Sequence, residues 1–298
     1  MFLAYGAKDV LKGAVMEKSI KKYWPVFVAP TLVAFTIGFI WPFIWGIYLS
    51  FTKFQTLKKI TWVGLDNYLR VFQDSTFVHA FVFTALFTIV STLTINVLAF
   101  LIATLLTRGI KGTNVFRTIF FMPNLIGGIV LGYIWQSLLN GLLYKFGMPL
   151  LALSTTEGFW GLVILMGWQQ IGYMMIIYIA GLQNVSPDLI EAAQIDGATR
   201  WQVLKHVKIP MVMPSITICM FLTLTNSFKL FDQNLSLTGG DPAKSTQMLA
   251  LNIYETDYMR SGQQWKGIGQ AKAVVFFLIV VIISMVQLRT TKKREVQA

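Results

Sequence analysis

Long stretches without a charged residue constrain the fold of this chain more than any other feature of its sequence. A helix needs about 20 apolar residues to cross a bilayer, and within the lipid it satisfies its own backbone groups. Five stretches meet that length: 26–50, 78–107, 118–144, 158–187 and 209–228. A sixth, 273–288, reaches it if the helix extends back to Ile268 and the Lys272 side chain snorkels to the interface. We therefore predict an all-α integral membrane protein with six transmembrane helices.

The composition agrees with a location in the membrane. Only 13% of the residues are charged and 55% are hydrophobic, whereas a soluble domain carries about 25% charged residues. The excess apolar surface must therefore face lipid. The first stretch, 26–50, is far longer than the roughly 7–15 apolar residues of a secretory signal peptide, so we predict that it is a retained span.

The basic residues predict the orientation of the spans, since Lys and Arg collect in the cytoplasmic loops of membrane proteins. With the N-terminus inside, fifteen of the 25 Lys and Arg residues fall on the cytoplasmic side, nine fall outside, and Lys272 falls within the sixth span. Both termini are therefore predicted to be cytoplasmic, as a segment 1–25 and a basic tail 289–298 around a transmembrane domain 26–288. This distribution accounts for the formal charge of +12, so we expect no nucleic-acid partner.

Residues that carry chemistry are sparse in this sequence. Cys219 is the single cysteine, His79 and His206 lie far apart, and no HExxH motif is present, so we predict no metal site. A membrane enzyme would need convergent acids or metal ligands. The acidic residues of the loops that we considered for this role belong to no evident motif: Asp74, Glu157, Glu255 and Asp257. We therefore expect no catalytic residue in this chain.

One segment superficially resembles a phosphate-binding loop. Residues 239–246 read Gly-Gly-Asp-Pro-Ala-Lys-Ser-Thr, but a P-loop needs a glycine directly before its lysine, and Ala243 stands there. The segment is also predicted to lie outside the cell, with no strand before it. We therefore expect this chain to bind no nucleotide cofactor of its own.

The segment between the fourth and fifth spans predicts two short helices on the cytoplasmic side. Ser186 suits the N-cap of the first helix, Pro187 its first position, and Asp188 complements the helix dipole. Gly197 predicts a left-handed break, and a second helix, 198–207, is expected to stop before Pro210. Such a pair of helices suits docking into a groove on a partner, although an amphipathic helix that only lies at the membrane surface would show the same pattern.

The spacing within this segment resembles a known signature. Glu-Ala-Ala at 191–193, three further residues, Gly197, nine residues and then Val-Lys-Ile-Pro at 207–210 resemble the EAA-x3-G-x9-I-x-L-P loop of ABC importer permeases, with Val207 for Ile and Ile209 for Leu. The resemblance implies that residues 183–210 form a coupling loop, which contacts a cytoplasmic ATPase. The residues that the signature assigns to this contact are Glu191, Ala192, Ala193, Asp196, Gly197, Ala198 and Pro210.

Three further stretches resemble the carbohydrate branch of that family, for di- and oligosaccharides. They are Val-Gly-Leu-Asp-Asn-Tyr at 63–68, Phe-Met-Pro at 121–123 leading to Trp135, and Leu-Thr-Gly-Gly-Asp-Pro at 237–242, which departs slightly from the family's L-T-x-G-G-P. The resemblance implies a type I ABC importer permease fold in a bacterial cell membrane. It also implies the partners: a second homologous permease, two ATPase subunits that use the ATP, and an extracellular sugar-binding protein. The alternative is an ion-coupled secondary transporter, which usually places an acid within a span, and the first four spans contain none.

Polar residues near the fifth span predict a path for the sugar. Asn226, Lys229 and Gln233 recur at i, i+3 and i+7, which places them on one face if the helix continues, and Asp232 would neutralise Lys229. The alternative is that they mark the outer end of the span. On the fourth span, three residues offer stacking and hydrogen bonds, although packing or interfacial anchoring would explain them equally: Trp168, Gln169 and Tyr173.

Overall fold

The computed structural model describes residues 23–56 and 58–293, and of Gln263 the backbone alone. Most of the predicted N-terminal segment 1–25 and the end of the basic tail 289–298 lie outside the described residues. The described helices, in chain order, are α1 (Tyr23–Ser50), α2 (Asp66–Gln73), α3 (Ser75–Leu106), α4 (Thr113–Phe121), α5 (Gly128–Lys145), α6 (Thr155–Gln183), α7 (Pro187–Ile195), α8 (Arg200–Phe228), α9 (Asp232–Leu237), α10 (Leu249–Tyr254) and α11 (Gln263–Lys292). A short antiparallel hairpin of β1 (Thr52–Phe54) and β2 (Ile60–Trp62) follows α1.

Five of the described helices are long and apolar enough to cross a membrane by themselves: α1, α3, α6, α8 and α11. Four of the predicted stretches fall within these helices apart from a few terminal residues, and the short sixth stretch lies within α11. The predicted third span, 118–144, is not one helix. It divides into α4 and α5, which meet at an angle of 102° and complete a sixth span only if they are counted together.

The bend between α4 and α5 has a local cause. Pro123 has no backbone N–H, and Met122–Leu125 tightens into a 3₁₀ turn. Ile126 and Gly127 then adopt extended backbone angles, so the helical hydrogen bonding stops before α5 starts. Hydropathy did not show this break, because its two residues, Ile126 and Gly127, leave the stretch equally apolar.

The core lies between α3, α6 and α8. Side chains such as Phe87, Leu162 and Cys219 are fully buried there. A short polar chain links the three helices, since the Tyr178 hydroxyl donates to Asn96 Oδ1 at 2.7 Å and Asn96 Nδ2 donates to Thr223 Oγ1 at 3.2 Å. Small polar side chains are the usual means by which membrane helices hold each other, because apolar packing alone does not favour protein over lipid.

The first helix is exposed over most of its length. Every residue from Trp24 to Pro42 is exposed, and only the last part of α1 packs against α11, where the rings of Phe43 and Phe277 lie 4.9 Å apart. An apolar helix with this exposure faces lipid or another membrane chain.

Lys272 does not snorkel to the interface, which corrects the sequence-based prediction. Its side chain is fully buried, and its ammonium group donates to Asp74 Oδ2 at 2.8 Å, Asn252 Oδ1 at 2.8 Å and Thr256 Oγ1 at 2.9 Å. The physical reason is that α10 and the π turn after it bring two neutral acceptors to the side of α11, while Asp74 caps α3 opposite them. These four residues are called the Lys272 clamp below.

Asp74 lies at the outer edge of this clamp, before the first residue of α3. Burial by itself would raise the pKa of its carboxyl group. Hydrogen bonds from Lys272 and Thr76, together with the charge of Lys272, outweigh that effect and lower the pKa from 3.8 to about 2. The clamp therefore contains a charged carboxylate at any physiological pH.

Candidate functional site

The coupling loop contains the predicted first helix, α7. Pro187 occupies its first turn and Asp188 lies beside the N-terminal end of the helix dipole, as the sequence predicts. Ser186 occupies the N-cap position as predicted, although its side chain makes no capping hydrogen bond. Residues Glu191 and Ala192 are exposed on α7.

Gly197 ends α7 in a left-handed conformation. Its φ is +81°, its N–H donates to Gln194 O at 3.0 Å, and the N–H of Ala198 reaches back to Ala193 O at 3.0 Å. This pair of bonds is the Schellman motif, which satisfies the last carbonyls of a helix and needs a residue at positive φ. A side chain at Gly197 would meet no atom within 4 Å, so the backbone angle alone favours glycine here.

The second helix of the loop does not stop before Pro210, which corrects the prediction of a helix over 198–207. It begins at Arg200, after Thr199 and Gln202 form a capping box, and runs through Pro210 to Phe228 as α8. A π turn over Leu204–Lys208 makes this continuity feasible. Widening the hydrogen-bonding pattern just before a proline leaves room for a residue that lacks an N–H.

The coupling loop also exposes apolar side chains that the sequence analysis did not single out. Ile195 is 86% exposed and Trp201 is 68% exposed, and Leu189 is exposed as well. Large apolar residues at the solvent-facing ends of helices mark an interaction surface when they cluster. The sequence signal for them was their position within the segment whose spacing resembles the family signature.

At the other end of α8, polar side chains surround a cavity of about 310 Å³, called the polar cavity below. Its lining residues are Met166, Gln170, Asn226, Lys229, Leu230, Phe231, Asp232 and Gln233. The predicted residues of the fifth span therefore come together, although not as a helical face. Helix α8 ends at Phe228 and α9 begins at Asp232, so a short irregular turn brings Gln233 back beside Asn226.

Hydrogen bonds hold the amide side chains around this cavity. Asn226 Nδ2 donates to Gln170 Oε1 at 3.5 Å, and Gln233 Nε2 donates to Gln169 Oε1 at 2.6 Å. Gln169 in turn donates to Ile126 O at 3.2 Å, at the break between α4 and α5. Gln169 thus positions Gln233 and does not line the cavity itself. Gln170 was missed, and its only sequence signal was the adjacent pair of glutamines within an apolar span.

Two of the remaining predicted residues lie outside the polar cavity, and two others do not form the ion pair that the sequence predicts. Trp168 packs against Trp135 at 5.4 Å, and Tyr173 lies 6.4 Å from the ring of Phe121. Neither residue lines the polar cavity. Lys229 and Asp232, both of which the structure describes, form no ion pair within 4.0 Å. Each is exposed, so both charges remain available to a ligand.

Close packing of α5 against α9 fixes one wall of the polar cavity. A Cβ atom at Gly132 would lie 1.8 Å from Ser236 Oγ, and one at Gly128 would lie 2.7 Å from Asp232 Cβ. Only glycine permits this approach at these two positions. Helix α5, which starts at the bend, therefore packs against Asp232 and Gln233 and holds them in place.

Comparison with known proteins gives consistent matches. The family model described as "binding-protein-dependent transport system inner membrane component" matches residues 108–294. The chain is 45% identical to a probable starch degradation products transport system permease protein, AmyD, of Thermoanaerobacterium thermosulfurigenes, over 92% of this chain and 95% of that one. It is 31% identical to the multiple sugar-binding transport system permease protein MsmF of Streptococcus mutans serotype c, over 94% of this chain and 99% of that one.

A solved structure shares the fold. A chain of a bacterial ABC transporter involved in the import of the acidic polysaccharide alginate superposes with a TM-score of 0.78, covering 93% of this chain and 98% of that one, at 20% identity. The arrangement of α1 to α11 is therefore that of a type I ABC importer permease.

Proposed function

Because the chain belongs to the family of binding-protein-dependent transport system inner membrane components, we propose that it is the permease subunit of an ATP-driven sugar importer in a bacterial cell membrane. One observation carries the proposal. Helix α8 begins in the coupling loop and ends at Phe228, and Asn226 in its last turn lines the polar cavity. At about 1.5 Å per residue, its 29 residues form a continuous lever of about 43 Å between the two sites.

Helix α8 would transmit movement of the coupling loop to the polar cavity. When ATP closes the partner ATPases, the movement of the coupling loop displaces α8 as a body and changes the surroundings of the polar cavity. Helix α6 leads directly into the loop as well and contributes Gln170 to the same cavity. A cavity that opens to alternate sides in this way transports its ligand without covalent chemistry, so the chain is a transport component and not an enzyme.

The lining of the polar cavity suits a saccharide. Amide side chains donate and accept hydrogen bonds at once, which matches the hydroxyl groups of a sugar, and Phe231 adds an apolar ring face. Since the relative AmyD is named for starch degradation products, we take a glucose oligosaccharide as the proposed substrate. The ion-coupled alternative finds no support among the relatives described above.

The proposed partners follow from the same family. An extracellular binding protein delivers the sugar, two cytoplasmic ATPase subunits hydrolyse the ATP, and a second, homologous permease completes the membrane pathway. The exposed length of α1 provides a surface for that second permease. The chain itself is proposed to hold no cofactor.

The proposed orientation places the coupling loop in the cytoplasm. A cleft of about 330 Å³ beside the loop is lined by Arg108, Arg200 and Lys208, in keeping with the excess of positive charge on the inner side. We expect a cysteine at position 194 to resist an impermeant thiol reagent in intact cells and a cysteine at position 244 to react. Cys219→Ser is a suitable background, since Cys219 is the single cysteine of the sequence. Labelling at position 194 in intact cells would reverse the orientation.

Transport by the reconstituted complex tests the function directly. In the presence of the binding protein, a glucose oligosaccharide should stimulate ATP hydrolysis and enter proteoliposomes. Gln170→Ala and Asn226→Ala should each slow uptake about 2- to 12-fold, because a lost hydrogen bond is worth about 0.5–1.5 kcal/mol. The matched control is Gln55→Ala, an exposed amide in the β1–β2 hairpin. The proposal fails if no sugar stimulates hydrolysis, and the role of the polar cavity fails if all three variants behave alike.

A further inference from the structure

We infer that a second cavity, next to the polar cavity, binds a further sugar unit of the transported oligosaccharide. This inference rests on the proposed function and extends it to substrate length. The second cavity has a volume of about 370 Å³ and is called the Asp257 cavity below. Its walls include Phe231, Tyr254, Asp257, Tyr258, Gln270 and Phe276. Phe231 lines both cavities, so the two cavities are neighbours.

Asp257 is the feature of this cavity that points to a ligand. Its side chain is only 9% exposed, and Oδ1 is buried without a hydrogen-bond partner. Within the described part of the chain, no donor reaches its carboxylate and no cation pairs with it. The nearest candidate, Lys266, instead lies over the ring of Tyr258, with Nζ 4.8 Å from the ring centre. Burying a carboxylate without donors opposes folding. Oδ1 is closed off by the chain itself, whereas Oδ2 is not among the buried atoms, so a sugar hydroxyl in the cavity would donate to Oδ2.

Close packing holds the Asp257 side chain in this position. A Cβ atom at Gly269 would lie 2.9 Å from Asp257 Cβ and 3.0 Å from Oδ1, so α11 approaches the carboxylate closely only because glycine stands there. Burial raises the pKa of the Asp257 carboxyl, and the charge of Lys266 opposes that change. Within the described residues, no group of three His, Cys, Asp or Glu side chains could hold a metal ion.

Aromatic rings supply the rest of the site. The rings of Phe231 and Tyr254 meet edge to face at 5.2 Å, and Tyr254 and Tyr258 lie 5.2 Å apart. Apolar walls with a few convergent polar groups are typical of small-ligand sites, and here the polar groups are Asp257 and Gln270. A sugar ring presents an apolar C–H face to the aromatic side chains and its hydroxyls to the carboxylate and the amide.

The position of Phe231 between the two cavities predicts how uptake depends on the length of the saccharide. A disaccharide occupies the polar cavity, and a longer saccharide extends past Phe231 so that a further unit reaches Asp257. Short substrates therefore depend on the polar cavity alone. Long substrates depend on both cavities.

Uptake of maltose and maltotetraose by the purified complex in proteoliposomes, with the binding protein in excess, tests this inference. Asp257→Leu should lower the rate for maltotetraose relative to maltose by about tenfold, as expected for hydrogen bonds to a charged group. Tyr258→Ala, at a position that is 69% exposed, should change the ratio in the same direction. The matched control is Glu255→Leu, because Glu255 pairs with Lys244 outside the cavity.

Thermal stability separates binding from a structural role. Asp257→Leu should leave the melting temperature unchanged or raise it, since it removes a buried group that has no partner. Unchanged uptake ratios in Asp257→Leu and Tyr258→Ala would overturn the inference and leave the proposed function intact. Loss of the binding protein from the Asp257→Leu complex, with an unchanged ratio, would likewise overturn it and make Asp257 a contact for that protein. No response of the wild type to either sugar would overturn both.

Discussion

Replacing Asp74 with alanine is expected to destabilise the folded permease by about 3–5 kcal/mol, the effect of removing one partner from a buried ion pair. The variant leaves the ammonium group of Lys272 fully buried, with only Asn252 and Thr256 to accept its hydrogen bonds. It also leaves Arg260 without the carboxylate that lies 3.7 Å away. Thermal unfolding of the purified protein in detergent measures the change.

Two further variants make this test specific. In Asp74→Ala combined with Lys272→Met, no buried charge remains in the clamp, so most of the lost stability should return. The matched control is Asp66→Ala, which breaks the exposed pair between Asp66 and Arg70 and should change the melting temperature little. Similar shifts for Asp74→Ala and Asp66→Ala would show that the Lys272 clamp does not hold α3 and α11 together.

The pH dependence of the clamp has a defined sign. The pKa of Asp74 is lowered from 3.8 to about 2 in the folded protein. The ion pair between Asp74 and Lys272 therefore stabilises the fold fully when the pH is above the pKa of Asp74 in the unfolded chain. This stabilisation is lost as the pH falls towards the pKa of Asp74 in the folded protein. The difference in stability between the wild type and Asp74→Ala should therefore stay constant over the physiological range.

Replacing Gly197 with proline is expected to abolish sugar-stimulated ATP hydrolysis, with the protein still inserted in the membrane. Proline fixes φ near −65°, whereas Gly197 has a φ of +81° and donates its N–H to Gln194. The substitution therefore removes the Schellman motif and redirects α8 relative to α7. Co-purification of the ATPase subunits and their stimulated activity are the measurements.

A graded series and a matched position complete the test of the coupling loop. Gly197→Ala should give a smaller loss, since its methyl group meets no atom and the left-handed angle alone costs about 1 kcal/mol. The matched control is Gly112→Pro, because Gly112 has a φ of +79° and also has open space around it, but lies in another loop. Equal coupling in Gly197→Pro and wild type would reduce the loop to an interfacial helix and contradict the proposed lever.

Most of the spans and the turn at Gly197 in the coupling loop were predictable because their causes are local. An apolar stretch must form a helix in lipid whatever its neighbours are, so 78–107 lies within α3 apart from Thr107, and 209–228 lies wholly within α8. The turn at Gly197 depends on one backbone angle and on bonds that reach at most five residues back. Ser186 shows the limit even here, since residue type favours a cap but does not guarantee its hydrogen bond.

Contacts between segments distant in sequence were not predictable. Lys272 finds Asp74 at a separation of 198 residues, and a hydropathy pattern carries no sign of such a partner, so snorkelling was the reasonable expectation. Gln170 joins Asn226 only because α6 and α8 pack side by side. The cluster of Asn226, Lys229 and Gln233 was predicted from a helical period that the chain interrupts, and the turn before α9 restored their proximity.

The amino-acid sequence by itself determined the membrane class, the approximate positions of the spans, the left-handed turn of the coupling loop and the resemblance to an importer family. Each of these features depends on composition or on the spacing of residues that are close together in the sequence. Only the tertiary structure decided which polar groups meet inside the bundle. It paired Lys272 with Asp74, brought together the residues that line the polar cavity and left Asp257 without a donor. The energies of burial and of ion pairing depend on which residues are neighbours in space. Here those neighbours lie on helices that are far apart along the chain.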